Sequence, residues 1–282
     1  MRIPTLALVT LVSLPLAGQC AELPPRIVMM WQVTGRNYAQ DLREIKSLGV
    51  NTVQSFALAG EDPSYVDGYF KAADEAGLGV VAFLGKFIEG EDANCALSSA
   101  GSDFVRAHAG APALLAWHTV DEPVNHKITK VCQRRIYDQV KSLDPKHPVL
   151  VSINFTKQQE YDGYFNERAF DMLDLHRYPN PDVGPAQERL LSTFKQNRHR
   201  KYRVIVTLRA YEAPGKIRRQ NMREGTLFQQ YSFFFGPDRV GEDIGFYGWR
   251  LAPNLGVAQI DWLKSEFSQL STEKKLGTAP ER

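Results

Sequence analysis

Acidic, imidazole and aromatic residues follow short apolar runs at several places in the sequence. Asp121 and Glu122 follow one such run, His176 and Tyr178 stand at the end of a second, and Glu212 follows a third. Two carboxyl groups brought together can divide the work of hydrolysis, since one donates a proton while the other, ionised, attacks or activates water. Aromatic rings beside them offer flat apolar faces for a sugar ring. The pattern therefore indicates chemistry on, or binding of, a carbohydrate.

These residues need a scaffold that brings distant parts of the chain together, and eight β-rich runs are candidates for its strands. Continuous apolar runs, as at 80–84 and 204–206, are typical of strands covered on both faces in a parallel sheet. The eight predicted strands are 27–33, 51–57, 79–84, 114–120, 148–154, 170–176, 203–209 and 243–249.

The segments between these runs carry apolar residues at intervals of three and four, which predicts helices. The clearest are 38–48, 128–143, 190–194, 227–234 and 262–270, with weaker patterns at 103–109 and 158–168. Eight strand–helix units in about 250 residues predict a closed (β/α)₈ barrel in one domain, 22–282. The alternative is an open doubly wound sheet, but no glycine-rich phosphate loop follows the first strand.

In such a barrel, chemistry is carried by residues at the carboxyl ends of the strands and in the loops that follow them. We therefore take the candidate site from the strand ends. Its predicted members are Trp31, Asp121, Glu122, Asn154, His176, Tyr178, Arg209, Glu212 and Trp249. Gln32, Tyr211 and Tyr247 also stand near strand ends but are not selected. Asn154 begins a glycosylation sequon, although its position at a strand end favours a place in the site.

Asp121-Glu122-Pro123 resembles the Asn-Glu-Pro signature of the clan A retaining glycoside hydrolases, in which that Glu is the general acid/base. His176-x-Tyr178 and Trp249 are similar to residues of the cellulase-like members of this clan, which line the sugar subsite beside the cleaved bond. The resemblance implies a barrel that hydrolyses an oligo- or polysaccharide with retention. It makes Glu122 the acid/base and Glu212, after the seventh strand, the nucleophile.

Two positions depart from the clan's pattern. Asp121 replaces an Asn that donates a hydrogen bond to the sugar, and an ionised carboxylate can only accept one. Glu212 lies one to three residues later than the clan's nucleophile. Two alternatives therefore stay open: a barrel that binds glycans without catalysis, and a hydrolase with a different second carboxylate or a metal. His118, Asp121, Glu122 and His176 lack strong metal-ligand spacing, so neither a metal nor a cofactor is predicted.

The charge balance and the amino-terminal segment of the chain bear on its partners and on its compartment. With 34 basic and 32 acidic residues the net charge is +2, which gives no reason to expect a nucleic acid partner. Residues 1–21 have the layout of a secretory signal peptide, and no later run is long enough for a stable membrane anchor. We expect a secreted or periplasmic protein, with a lipoprotein attached through Cys20 as the less favoured alternative.

Removal of the leader near Cys20 would leave Cys95 and Cys132 in an oxidising compartment. A disulfide between them and two separate thiols remain equally open, because sequence alone does not place their Cα atoms. Arg218, Arg219 and Arg223 follow the seventh strand. They would suit an acidic polysaccharide if they faced the barrel mouth, whereas a solvated basic helix start is the simpler interpretation.

Overall fold

The computed structural model is a closed barrel of eight parallel strands, which confirms the predicted (β/α)₈ fold. The structure describes residues 23–154, 163–176, 178, 184–185, 188, 192, 202–212, 222, 224–235, 243–250, 255–273 and 276. The strands are β1 Val28–Trp31, β2 Thr52–Ser55, β3 Gly79–Phe83, β4 Leu114–Asp121, β5 Val149–Asn154, β6 Met172–His176, β7 Arg203–Arg209 and β8 Asp243–Tyr247. Because β1 pairs with β8 as well as with β2, the sheet has no open edge, which excludes the open doubly wound alternative.

Helices cover the outside of the barrel. Those described in full are α1 Tyr38–Ser47, α2 Pro63–Glu75, α3 Ser99–His108, α4 Lys130–Leu143, α5 Thr226–Phe235 and α6 Asp261–Glu273. Asp62, Ser98 and Thr129 cap the first turns of α2, α3 and α4, each accepting a hydrogen bond from a backbone N–H. The Ser98 cap starts α3 four residues before the predicted segment at 103–109.

Some predictions fall where the chain is not described. The predicted helical segments at 158–168 and 190–194 lie partly outside the described residues, and the predicted signal peptide 1–21, with Cys20, lies wholly outside them. Arg218, Arg219 and Arg223 also lie outside. Within the described residues, no helix is long and apolar enough to cross a membrane.

Side chains of the strands alternate between two cores. The interior of the barrel, on the amino-terminal side of the strands, is filled by Ile27, Met29, Val81, Ala116, Leu150, Met172 and Ile205. The outward-facing side chains, such as Val151, Leu173 and Val206, pack against the helices in a second, larger cluster. This alternation follows from the two-residue period of a strand. One step above the apolar interior layer the inward side chains become polar, and the floor of the site begins there.

The amino-terminal end of the barrel is closed by ionic contacts around Asp243. The Asp243 carboxylate accepts hydrogen bonds from the backbone N–H of Ile27, at 2.6 Å, and from Arg203 Nε, at 2.8 Å. Arg203 Nη1 also donates to the carbonyl of Pro24, at 2.8 Å. Strands β1, β7 and β8 are therefore joined at their starts by one buried carboxylate.

A disulfide joins Cys95, in the loop after β3, to Cys132, in the first turn of α4, with Cα atoms 5.2 Å apart. Both residues are buried. Polar contacts reinforce the same junction, since Arg135 Nε donates to the Cys95 carbonyl and the Gln139 side chain hydrogen-bonds both backbone groups of Leu97. The β3 loop is thus held against the helix that follows the Glu122 strand.

Replacing Cys95 and Cys132 together by Ser should lower the free energy of unfolding by about 2 to 4 kcal/mol, because the bridge restrains the unfolded chain. Urea unfolding of the oxidised protein and of the double variant measures this difference. Thiol mapping of the denatured, unreduced protein provides the control. Free thiols at both positions would contradict the bridge.

Candidate active site

A cavity of about 480 Å³ opens at the carboxyl end of the barrel. Its lining residues come from the ends of β1 and β4–β8 and from the segments that follow them. They are Trp31, Gln32, Asp121, Glu122, Ser152, Asn154, Asp174, His176, Tyr178, Tyr211 and Tyr247. As predicted, the ends of the fourth, sixth, seventh and eighth strands share one face, and β4 ends at Asp121.

Two irregularities let β4 deliver consecutive carboxyl groups to this cavity. The pairing of β4 with β5 shifts between His118 and Val120, which changes the side of the strand on which the following residues point. Asp121 then points inward. Glu122 has a left-handed backbone, with φ of 45°. Neighbouring residues of a regular strand would point to opposite faces, whereas this turn brings Glu122 into the cavity beside Asp121.

Three N–H donors converge on the Glu122 carboxylate. Asn154 Nδ2 donates to Oε1 at 2.9 Å, and His176 Nε2 lies 3.0 Å from the same oxygen. Asn125 Nδ2 donates to Oε2. Amide N–H groups can only donate, so the carboxyl group must accept from them. This surrounding fixes both the position and the ionised state of Glu122.

His176 is buried between two carboxylates. Its Nε2 faces Glu122, while Nδ1 lies 3.1 Å from Asp174 Oδ2. The Ser152 hydroxyl donates to the same Asp174 oxygen at 2.8 Å and lies 3.3 Å from His176 Nδ1. A ring whose two nitrogens both face carboxylate oxygens is held as imidazolium, because only then can both nitrogens donate.

The chain of hydrogen bonds continues across the barrel. The Thr207 hydroxyl donates to Asp174 Oδ1, and Trp31 Nε1 donates to the Thr207 hydroxyl at 3.1 Å. The backbone of Gly245 makes room for this last contact, since a Cβ there would collide with Thr207 and lie against the Trp31 indole. Residues of β1, β5, β6 and β7 thereby hold Asp174 in place.

These contacts separate the charge states of Glu122 and His176. Burial alone would raise the pKa of Glu122, but the hydrogen bonds and the charge of His176, with the two asparagine amides, lower it to about 2. Burial would likewise lower the pKa of His176, whereas its hydrogen bonds to Asp174 and Glu122 raise it to about 10. At neutral pH, Glu122 is a carboxylate and His176 a cation.

The pKa of Asp121 is shifted in the opposite direction from that of Glu122. Burial, together with the negative charges of Glu122 and Asp174, raises the pKa of Asp121 to about 7, against the positive charge of His176 and the hydrogen bond of Ser152, which both lower it. Near neutrality about half of the molecules therefore carry a protonated Asp121. The cavity thus holds one carboxyl group that titrates near neutrality next to one that stays ionised, a division typical of acid–base sites.

Tyrosines form one wall of the cavity. The Tyr178 ring stacks on His176, with centroids 5.2 Å apart, and contacts Tyr247 and Tyr211 at 5.8 Å each. Burial raises the pKa of Tyr178 well above its usual value and that of Tyr247 to about 12, so both hydroxyls stay neutral donors. Aromatic faces with neutral hydroxyls suit a sugar ring and its hydroxyl groups.

Six of the nine predicted site residues line this cavity, namely Trp31, Asp121, Glu122, Asn154, His176 and Tyr178. The other three do not. Trp249 is fully buried in the cluster between the barrel and the helices, two residues after β8 ends at Tyr247. With no exposed ring face, Trp249 is not a stacking surface, and its predicted contact with substrate is wrong.

Arg209 and Glu212 lie outside the cavity lining for local reasons. Arg209 is buried against Tyr211, with its guanidinium 4.7 Å from the ring centroid and Nε donating to the Tyr211 carbonyl. Glu212 pairs with Leu255 in a two-residue antiparallel ladder that turns away from β7. Of this segment, only Tyr211 lines the cavity. The predicted nucleophile, Glu212, is therefore not among the residues that line the cavity with Glu122.

Sequence reasoning missed Ser152 and Asp174 and did not select Gln32, Tyr211 or Tyr247. Ser152 precedes Asn154 by two residues, and Asp174 precedes His176 by two, so the strand period alone could have placed both on the inward face. Tyr247 has the same inward orientation as Gly245 on β8. Among the described residues, no group of three or more acidic, histidine or cysteine side chains could hold a metal ion.

No family model matches this sequence. No curated protein matches it either.

Solved structures with the same barrel are nevertheless found. A GH2 beta-galacturonidase from Eisenbergiella tayi superposes with a TM-score of 0.59 at 15% identity, over 87% of this chain and 51% of its own. A beta-glucuronidase from Lactobacillus rhamnosus gives 0.54 at 16%, over 79% and 43%. A Bacteroides thetaiotaomicron protein provisionally assigned as an alpha-L-fucosidase gives 0.55 at 11%, over 98% and 99%. This chain spans about half the length of the first two, and at these identities the likeness shows the barrel fold alone.

Proposed function

We propose that this protein is a glycoside hydrolase acting on an oligo- or polysaccharide, with Glu122 as an essential carboxyl group. One observation carries the proposal: two carboxyl groups share one cavity at the carboxyl end of the barrel, where N–H donors hold Glu122 ionised and none, among the described contacts, prevents Asp121 from keeping a proton. Hydrolysis of a glycosidic bond needs two carboxyl groups in these two states. The glycosidases among the structures with the same barrel are consistent with this chemistry.

The remaining lining fits a sugar. Tyr178, Tyr211 and Tyr247 supply aromatic faces, and Gln32 donates to the Tyr247 hydroxyl at 3.4 Å, which orients that ring. Within the described residues, Asn154 Oδ1 is buried without a hydrogen-bond partner. A substrate hydroxyl could donate to this oxygen and so satisfy an otherwise costly buried acceptor.

The charge of the cavity favours a neutral sugar. Two of the similar structures are a galacturonidase and a glucuronidase, whose named substrates carry a carboxylate. In this chain, His176 is the cation among the described lining residues, and it is already paired with Asp174 and Glu122. A further anion at this place would meet two carboxylates.

Two finer points belong to the same proposal. The resemblance to clan A supports retention of configuration. The predicted leader, together with a disulfide between Cys95 and Cys132, supports action outside the cytoplasm. The competing candidate is a barrel that binds glycans without cleaving them. The position of Glu212 outside the cavity favours that candidate, since it removes the carboxylate expected after the seventh strand.

Replacing Glu122 by Gln should lower cleavage of glycosides by about 10²-fold or more, because an amide of the same shape cannot carry the negative charge. Release of reducing ends from a panel of neutral oligosaccharides measures the effect. Glu212→Gln is the matched control and should keep near-normal turnover. Cleavage lost in Glu212→Gln but kept in Glu122→Gln would contradict the proposal, and binding without cleavage by the unaltered protein would favour the binding barrel.

Tyr247→Ala should weaken binding of a cleaved oligosaccharide by about 1 to 3 kcal/mol with little change in melting temperature, because the ring lies at the cavity wall. Trp249→Ala is the paired variant. It should instead destabilise the fold by about 3 to 5 kcal/mol, as expected for a large buried side chain. Calorimetric binding and thermal unfolding of both variants decide the assignment. The opposite pattern would restore Trp249 as the sugar platform.

A further inference from the structure

The roles of the two cavity carboxyl groups can be assigned from their surroundings. The resemblance to clan A makes Glu122 the group that donates a proton. The structure surrounds Glu122 with donors only: two amide N–H groups and the imidazolium of His176. A carboxyl group that accepts from all its neighbours has no reason to hold a proton of its own.

Asp121 lies in contrasting surroundings. The Ser152 hydroxyl lowers the pKa of Asp121 by hydrogen bonding, but no N–H donor holds the Asp121 carboxyl group among the described contacts. The negative charges of Glu122 and Asp174 face it, and the neutral hydroxyls of Tyr178 and Tyr247 lie on the other side of the cavity. Burial and these two negative charges favour a protonated Asp121, against the charge of His176 and the hydrogen bond of Ser152.

We propose that Asp121 is the proton donor of the reaction and Glu122 is its nucleophile. The assignment rests on the proposed hydrolase function and reverses the role that sequence resemblance gives to Glu122. In this assignment His176 and Asp174 are positioning residues, because His176 donates to the Glu122 carboxylate and Asp174 holds His176. A general base works best with a pKa near the working pH, so the strongly acidic Glu122 is better suited to attack carbon than to deprotonate water.

The reaction balances in two steps. First, the Glu122 carboxylate attacks the anomeric carbon, the bond from that carbon to the glycosidic oxygen breaks, and Asp121 gives its proton to the departing oxygen. The product is an alcohol and a glycosyl ester on Glu122. Second, the Asp121 carboxylate takes a proton from water, whose oxygen attacks the anomeric carbon and displaces Glu122. Asp121 is again protonated, Glu122 is again ionised, and configuration is retained.

Azide separates the two roles by the configuration of its product. In Glu122→Ala, azide takes the place of the missing nucleophile and attacks the substrate directly, so an activated aryl glycoside should give a glycosyl azide of inverted configuration. In Asp121→Ala, the ester on Glu122 still forms, and azide attacks it without needing a base, so the product should have retained configuration. Product configurations in the reverse order would overturn the assignment.

The leaving group and the pH give a second kinetic readout with more conservative variants. Asp121→Asn should lose about 10²- to 10⁴-fold on unactivated glycosides but much less on aryl glycosides with acidic phenols, which need little proton donation. Glu122→Gln should lose activity on both. In the unaltered protein kcat/KM should fall as the pH rises through about 7, where Asp121 loses its proton. In Asp121→Asn this alkaline limb of the pH profile should be absent. A limb that persists in Asp121→Asn would count against the assignment.

Carbon-13 NMR of the side-chain carboxyl groups tests the charge states without any substrate. With signals assigned through Asp121→Asn and Glu122→Gln, the Glu122 carbon should keep the chemical shift of an ionised carboxylate from about pH 4 to about pH 9, while the Asp121 carbon titrates near pH 7. Asp174→Asn should raise the pKa of Glu122, an effect that a purely structural Asp174 would not produce. Glu122 titrating near neutrality would overturn the assignment.

The two proposals fail in different ways. An unaltered protein that cleaves no glycoside in the panel contradicts the hydrolase function. Cleavage by the unaltered protein, combined with reversed azide products, leaves the hydrolase function standing and removes only the assignment of roles. Thermal unfolding of each variant confirms that losses of activity come from folded protein.

Discussion

His176 carries a positive charge into the interior of the barrel, and the site is arranged around that charge. Burying a cation is costly unless carboxylates and hydrogen bonds compensate it. Two carboxylates compensate the charge of His176: Asp174 Oδ2 lies 3.1 Å from Nδ1, and Glu122 Oε1 lies 3.0 Å from Nε2. Asp174 is in turn held by Ser152 and Thr207 from the strands on either side. Each of these side chains forms a hydrogen bond or ion pair with the next, so the floor of the cavity is a connected polar network.

The same network explains why neighbouring carboxyl groups differ. Asp121 and Glu122 are consecutive in sequence and lie in one cavity, yet the N–H donors reach only Glu122. The left-handed backbone at Glu122 directs its side chain toward those donors, and a conformation uncommon for a residue with a side chain is often found at functional sites. Gln32, a second cavity residue, has the same kind of backbone, with φ of 60°.

Sequence patterns predicted the barrel and most of the residues that line the cavity. In a parallel barrel the carboxyl ends of all strands lie at one face, so their side chains come together there. They failed where a strand ended or turned locally. Trp249 follows the last inward residue of β8 by two positions, but the strand has already ended, so periodicity no longer applies. The charge of Glu122 was beyond prediction for another reason. Its donors come from residues 125, 154 and 176, and only the folded barrel brings them together.

The contacts that close the barrel join the two ends of the described chain. β1 pairs with β8, Ile27 donates to Asp243 across 216 positions, and Asp41 pairs with Arg250 across 209. Such contacts cannot form before β8 has been synthesised, because each of them needs residues from both ends of the barrel. Until then the first strands have an unpaired edge and an uncovered apolar face. A barrel in which β8 has not yet paired with β1 therefore presents an open strand edge, which can pair with the edge of another chain.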